Sequence, residues 1–203
     1  MSSPYKNRNR SKWEQITKRL VAKHPLKEKD LIDSVFSAWE GIFTTLLAGK
    51  LKIGTDIQLK PQELGNFLHA LIPYELEHKF PSEWRRDQTG NEKDIVCIAN
   101  EKFSIEVKTS SNPNRIFGNR SYAQKQNNGK KSKTGYYLAV NFINKPGIHL
   151  IKLIRFGWID AEDWIGQASS SGQQAHLEAE LEKLKLKIIY QHRNSLKENQ
   201  YLL

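Results

Sequence analysis

Between Lys102 and Thr109 apolar and polar residues alternate without a break: Phe103, Ile105 and Val107 fall on one side, Ser104, Glu106 and Lys108 on the other. A period of two is that of a half-buried β-strand, so a carboxylate and an ammonium two residues apart share its polar face. A second β run, Asp94 to Ile98, lies just upstream across an Asn100-Glu101 turn signal. Register decides what that run adds. A two-residue loop would turn Asp94 away from Glu106 and Lys108; a three-residue loop of Ala99, Asn100 and Glu101 would set Asp94 directly opposite Glu106. The odd loop is the expectation here. Directly opposed residues hold their Cβ atoms about 4.5 to 5.5 Å apart, close enough for two carboxylates to share one divalent cation.

Charge is distributed in a way that supports such a centre. The chain carries 32 basic and 22 acidic residues in 203, a net charge of +10, which favours a polyanionic partner. Residues 30 to 108, which hold the carboxylates, have nine basic and thirteen acidic residues, whereas 109 to 159 have nine basic and none acidic. An acidic centre thus adjoins a stretch suited to phosphate. The single cysteine, Cys97, excludes an internal disulfide and a cysteine zinc site and fits a reducing compartment. With no apolar leader and no run of eighteen apolar residues, neither a signal peptide nor a membrane span is expected, and the expected location is the cytoplasm.

Residues 1–11 are polar and basic and read as a flexible tail, leaving 12–203 as a single domain. Apolar spacing predicts helices over Trp13 to Lys23, over Asp30 to Leu47 and, opening at Pro61, to Leu71. Gly135 to Phe142 and Ile148 to Phe156 are β runs joined across Asn144-Lys145-Pro146-Gly147, and Leu177, Leu181, Leu184 and Ile188 form the stripe of a last helix. The segment after the first hairpin is rich in the side chains that meet base edges or phosphates: Asn112, Asn114, Arg115, Asn119, Arg120, Ser121, Tyr122, Gln124 and Lys125. Lys130, Lys131 and Lys133 follow in a basic loop that suits a clamp on a nucleic-acid backbone.

Asp94, then Glu106-Val107-Lys108 on the next strand, resembles the PD-(D/E)XK nucleases, although Lys93 stands where a proline is usual. The segments EVKTSSN, FGNRSYAQ and FGWID are similar to those of ScaI-type restriction endonucleases. The resemblance implies an α/β fold, a restriction-endonuclease-like core with a central mixed β-sheet of about five strands flanked by α-helices. It also implies a type II enzyme that cleaves both strands of a short double-stranded DNA site as a homodimer, with a cognate DNA methyltransferase as functional partner. By the same resemblance Asp94 and Glu106, with the Val107 carbonyl, would hold Mg2+ (Mn2+ able to substitute), and Lys108 would serve the attacking water. Glu63 on the preceding helix would add a further acidic group, with Glu40 as its competitor. A structure-directed nuclease of the junction-resolving or repair kind, and a DNA-binding protein without catalysis, remain open beside this reading. None of the six histidines forms a zinc-spaced pair, and no Walker loop or dinucleotide fingerprint is present.

Overall fold

The computed structural model describes residues 2–124, 131–169 and 171–193. Where the sequence suggested a flexible tail, Tyr5 is buried, its hydroxyl 2.8 Å from Thr17 Oγ1, and Ser3 Oγ donates to Asp160 Oδ2 at 2.7 Å. An aromatic ring with a satisfied hydroxyl is enough to fix a short polar segment that composition alone would leave free. A 3₁₀ turn at Arg10–Lys12 then leads into α1 (Trp13–Ala22). In α2 (Glu28–Thr44) the Asp30 carboxylate accepts from the Lys27 N–H, and Leu31, Val35, Ala38, Trp39 and Ile42 make the buried stripe. A small hairpin, β1 (Leu46–Leu47) with β2 (Leu51–Lys52), turns through Ala48 and Gly49 at positive φ.

The helix opening at Pro61 is longer than its pattern suggested: α3 runs Pro61–Lys79, straight through Pro73. Proline removes the hydrogen bond to the carbonyl four residues back, here His69, and ordinarily ends a helix. Burial overrides it, because Leu64, Leu68, Ile72 and Leu76 form one fully buried stripe on both sides of Pro73.

Strands β3 (Trp84–Arg86), β4 (Ile95–Cys97) and β5 (Ile105–Ser110) come next, followed by short β6 (Phe117–Asn119) and the long pair β7 (Gly135–Lys145) and β8 (Ile148–Ile159). The C-terminal part adds β9 (Ile165–Gly166), β10 (Gln174–His176), α4 (Ala179–Lys185) and β11 (Leu186–Gln191). Six strands form the central mixed sheet in the order β11-β8-β7-β5-β4-β3, with β5 and β7 parallel and the other neighbours antiparallel. The expected last helix therefore ends early. Ile188 pairs with Arg155 in the sheet, since the open edge of β8 offers backbone partners that an exposed helix turn would lack.

Each face of this sheet has its own cover. Tyr136, Leu138, Val140 and Phe142 of β7 join Ile105, Val107, Ile154 and Phe156 in a core closed by α1, α2 and α3. The alternate residues, Tyr137, Ala139 and Asn141, stand beside Glu106, Lys108 and Arg155 on the opposite face. That face is covered in part by α4 and by a three-stranded sheet, β6-β10-β9, through Ile116, Trp164, Ala175, Leu177 and Leu181. Among the described residues no helix is long and apolar enough to cross a membrane.

Candidate active site

Ile95 of β4 pairs with Ile105 of β5, which sets Asp94 opposite Glu106 as the odd register required. The connection itself is longer than three residues. It contains a 3₁₀ turn, Glu101–Phe103, capped by the Asn100 side chain, and Ser104 Oγ accepts from the Cys97 N–H at 3.0 Å. Beyond Ile95 the two strands part, and Asp94 Oδ2 accepts from the Val107 N–H at 2.7 Å where a ladder bond would otherwise lie. A residue in a strand points its N–H and C=O to the same side, so the Val107 carbonyl opens into the gap that Asp94 borders. Lys108 Nζ donates to Glu106 Oε1 at 2.8 Å. These groups floor a cleft of about 780 Å³ whose walls include His69, Asn119, Ser121 and Gln124.

Glu106 is almost wholly buried, yet it has no shortage of cations. Burial pushes its carboxyl up, but the ammonium groups of Lys108, Lys131 and Lys93 outweigh that and hold it at about 2. Lys131 Nζ bridges the carboxylates, 2.9 Å from Asp94 Oδ1 and 2.6 Å from Glu106 Oε2. Lys93 lies underneath, over the Tyr137 ring and donating to the Ser132 carbonyl at 3.1 Å; burial lowers its pKa to about 8 against the pull of Glu106. Gly135, with φ of 142°, makes room for it, since a Cβ there would stand 2.9 Å from Lys93 Cε. The Tyr122 hydroxyl donates to Glu106 Oε1 at 2.5 Å, and its ring lies under Lys108 Nζ at 4.4 Å.

This donor set suits a hard divalent cation. Two carboxylates face each other, and a positive group, the Lys131 ammonium, already fits between them. Among the described residues no three His, Cys, Asp or Glu side chains gather into a cluster, so a cation here would complete its shell with a backbone carbonyl, water and substrate oxygen. Magnesium, which keeps several waters, is bound in that way.

The sequence comparisons bear directly on this arrangement. The model of the ScaI restriction endonuclease family matches residues 3–190. A type II restriction enzyme ScaI from Streptomyces caespitosus is 44% identical over 193 residues, covering 93% of this chain and 85% of that protein. The chain belongs to the ScaI restriction endonuclease family. It is thus a site-specific restriction endonuclease, and the structure-directed and non-catalytic alternatives give way.

In this ScaI-family chain the expected site residues divide sharply. Asn119, Ser121, Tyr122, Gln124, Lys131 and Lys133 border the same cleft as Asp94, Glu106 and Lys108. Arg115 does not: its Nε is 2.9 Å from Glu182 Oε1 and its Nη2 donates to the Leu177 carbonyl, so its guanidinium is turned into the protein. Asn112 is likewise structural, its Oδ1 accepting from the N–H groups of Asn114 and Arg115 in an Asx turn. Asn114 is exposed outside the cleft, and Arg120 donates to the Gly172 carbonyl at 3.1 Å. Lys125 and Lys130 lie outside the described residues. Glu63 is a correction. Its carboxylate accepts from the Lys60 N–H at 2.6 Å as the cap of α3 and does not border the cleft. Glu40, on α2, borders a separate hollow with Asp33 and His78.

Two residues at the site escaped the sequence reading. His69 of α3 brings Nδ1 to 3.7 Å from Asp94 Oδ2, and burial lowers its pKa against the pull of Asp94. Its signal was its place on α3, one residue after the buried Leu68 and six after Glu63. The other is Lys93, written off as a departure at the proline position but enclosed beside Glu106.

Proposed function

We infer that this ScaI-family endonuclease hydrolyses one phosphodiester in each strand of a short palindromic double-stranded DNA site, with Mg2+ as cofactor and Mn2+ able to replace it. It acts as a homodimer, because a two-fold protein matches a two-fold site and brings one active site to each strand. A cognate DNA methyltransferase is its functional partner, and a prokaryotic cytoplasm its setting. The observation that carries this reading is Asp94 facing Glu106, with Lys108 on the same strand face, at the floor of a cleft walled by amide and hydroxyl side chains.

Asp94, Glu106 and the Val107 carbonyl would hold the cation. When bound it supplies positive charge against the phosphoryl oxygens and acidifies water in its shell. Lys108 has three N–H donors and commits one to Glu106, leaving the others for the attacking water or a developing phosphoryl charge. Tyr122 fixes Glu106 through Oε1 and so keeps the carboxylate aimed at the gap. Asn119, Ser121 and Gln124 supply the donors and acceptors that base edges require, Asn and Gln being matched to adenine. Lys131 and Lys133 favour the phosphate backbone, which positions the duplex without reading it. The products carry 5′-phosphate and 3′-hydroxyl ends.

The test is digestion of a sequenced plasmid at low salt, with magnesium and with chelator, beside Lys108→Ala. Discrete magnesium-dependent bands that disappear in the variant are expected, and sequencing their ends gives the site. A smear, or bands that persist in chelator, would overturn the reading.

A further inference from the structure

The carboxylates of Asp94 and Glu106 are closely engaged before any metal arrives, although Glu106 Oε2 has only the ion pair with Lys131 and no hydrogen bond. Asp94 Oδ2 takes the Val107 N–H, and Glu106 Oε1 takes both Lys108 and Tyr122. Asp94 Oδ1 and Glu106 Oε2 share the Lys131 ammonium at 2.9 and 2.6 Å. Two carboxylates are therefore already balanced by the two ammonium groups in contact with them, Lys108 and Lys131. A divalent cation added to this arrangement meets an excess of positive charge at close range, so one group has to yield.

The geometry singles out which one. Lys93 is enclosed between the Tyr137 ring and the Ser132 carbonyl. Lys108 is held by Glu106 and by the Tyr122 ring, with its side chain 10% exposed. Lys131 is 23% exposed, borders the open cleft, and occupies the space between the two carboxylates that a shared cation needs. It also belongs to the chain segment whose neighbour Lys133 lines the same cleft.

We propose that Lys131 is a resident counter-cation of the Asp94–Glu106 pair: without metal it holds the carboxylates facing each other, and duplex DNA draws its ammonium onto a backbone phosphate, opening them to the divalent cation. This rests on the reading of Asp94 and Glu106 as metal ligands. Metal and DNA are then coupled through one side chain, and linkage makes the coupling reciprocal. In its first state Lys131 relieves the repulsion between two facing carboxylates; in its second it adds a phosphate contact. It is a positioning residue in both.

Two measurements on the full chain decide the matter. Mn2+ binding without DNA, followed by the free-ion electron paramagnetic resonance signal at fixed ionic strength, is compared for wild type, Lys131→Met, Lys131→Gln and Lys131→Arg. Removing the charge tightens Mn2+ binding ~10-fold or more, whereas Lys131→Arg stays near wild type. DNA affinity is then measured in chelator across a salt series, with a duplex carrying the mapped site. The two neutral variants bind more weakly, and the salt slope falls by about one.

Unchanged or weaker Mn2+ binding in both neutral variants would overturn the proposal. Tighter Mn2+ binding with an unchanged salt slope would overturn the transfer to phosphate. Thermal unfolding of each variant identifies one that has not folded, and the other neutral variant then decides. Asp94→Asn separates the underlying reading from this one: if it retains wild-type Mn2+ affinity, the metal assignment itself fails, whatever Lys131 does.

Discussion

The two faces of the central sheet are built on opposite terms. Against α1, α2 and α3 the sheet presents hydrocarbon and aromatic rings, and the titratable His24 there is kept neutral. Against α4 and the β6-β10-β9 sheet it presents Glu106, Lys108, Asn141 and Arg155, all buried or nearly so, and all tied to other polar groups. Burying charge costs free energy unless partners recover it, and even then an apolar replacement is often as stable. The helical face therefore holds the fold together, and the polar face accepts a less favourable environment so that carboxylates and ammoniums meet in a cleft.

The largest separation of the two faces is expected from Lys108→Met set against Leu31→Ala. Losing the Lys108 ammonium lowers the single-turnover cleavage rate ~10²–10⁴-fold. Glu106 keeps Lys131 and Lys93 as neighbours, so the thermal midpoint moves little. Leu31 is fully buried in α2, and its truncation costs about 2–5 kcal/mol of stability with cleavage per folded molecule unchanged. Urea unfolding beside single-turnover rates checks both halves. Loss of activity in folded Leu31→Ala would show that the faces are not independent.

Glu182→Gln probes a part of the polar face away from the cleft. Glu182 is buried between Arg115 and Arg155, whose guanidinium nitrogens stand 2.9 and 2.8 Å from its two oxygens, and Arg155 also donates to Asn141 Oδ1. Neutralising the shared anion leaves two arginines facing each other, with an expected loss of about 3–5 kcal/mol. Asn141 Nδ2 in turn donates to the carbonyls of Asn112 and Arg115, so the segment leading to β6 should loosen as well. Denaturant midpoints give the first effect, and cleavage at sites differing by one base pair gives the second. A variant of wild-type stability would contradict this account.

Arg115 also marks how far the sequence could be read. Period-two alternation in 102–109 and the β runs of 135–142 and 148–156 located the sheet, and parity alone set Asp94 against Glu106. Local pattern sufficed because those features are local. Arg115, by contrast, stands in fifty-one residues without a carboxylate, so it looked available to DNA; its partner is 67 positions away in α4. Glu63 was misread although Pro61 at the first turn and Glu63 two residues on is a helix-start pattern in which the carboxylate serves the backbone. Ile188 fitted a helical stripe equally well as a strand, and only the open edge of β8 distinguishes them. What the sequence concealed was long-range pairing.

The helical face has its own titration. His24 sits among Trp84, Phe103, Tyr136 and Phe156, with Nδ1 accepting from the Leu26 N–H and Nε2 directed at the Phe103 carbonyl at 3.0 Å. Burial lowers its pKa from 6.5 to about 4, so between those values the unfolded chain takes up a proton that the native protein refuses. Its contribution is complete above pH 6.5 and declines as pH falls toward 4, by up to roughly 3 kcal/mol. Urea midpoints between pH 7 and 4.5 should fall less steeply for His24→Phe than for wild type. Parallel curves would mean that His24 takes up its proton equally in the native and unfolded states.

The smallest effect is expected where the polar face is held most delicately, at Tyr122. Its ring packs against Trp164 at 4.9 Å and fills the space left by Gly118, where a Cβ would stand 2.8 Å from Cγ. Tyr122→Phe keeps that packing and removes only the hydroxyl, while Lys108 still donates to Glu106 Oε1. One lost hydrogen bond to a charged group is worth about 1.5–3 kcal/mol, and with Lys108 still in place the expected change in cleavage rate is toward the low end, ~10-fold. DNA affinity should be unchanged, because the hydroxyl is engaged by the protein. Were affinity to fall while the rate at saturating protein held, Tyr122 would act on the duplex and not on Glu106. The polar face would then be a set of separate contacts to substrate, without the internal tie between Tyr122 and Glu106 that their hydrogen bond indicates.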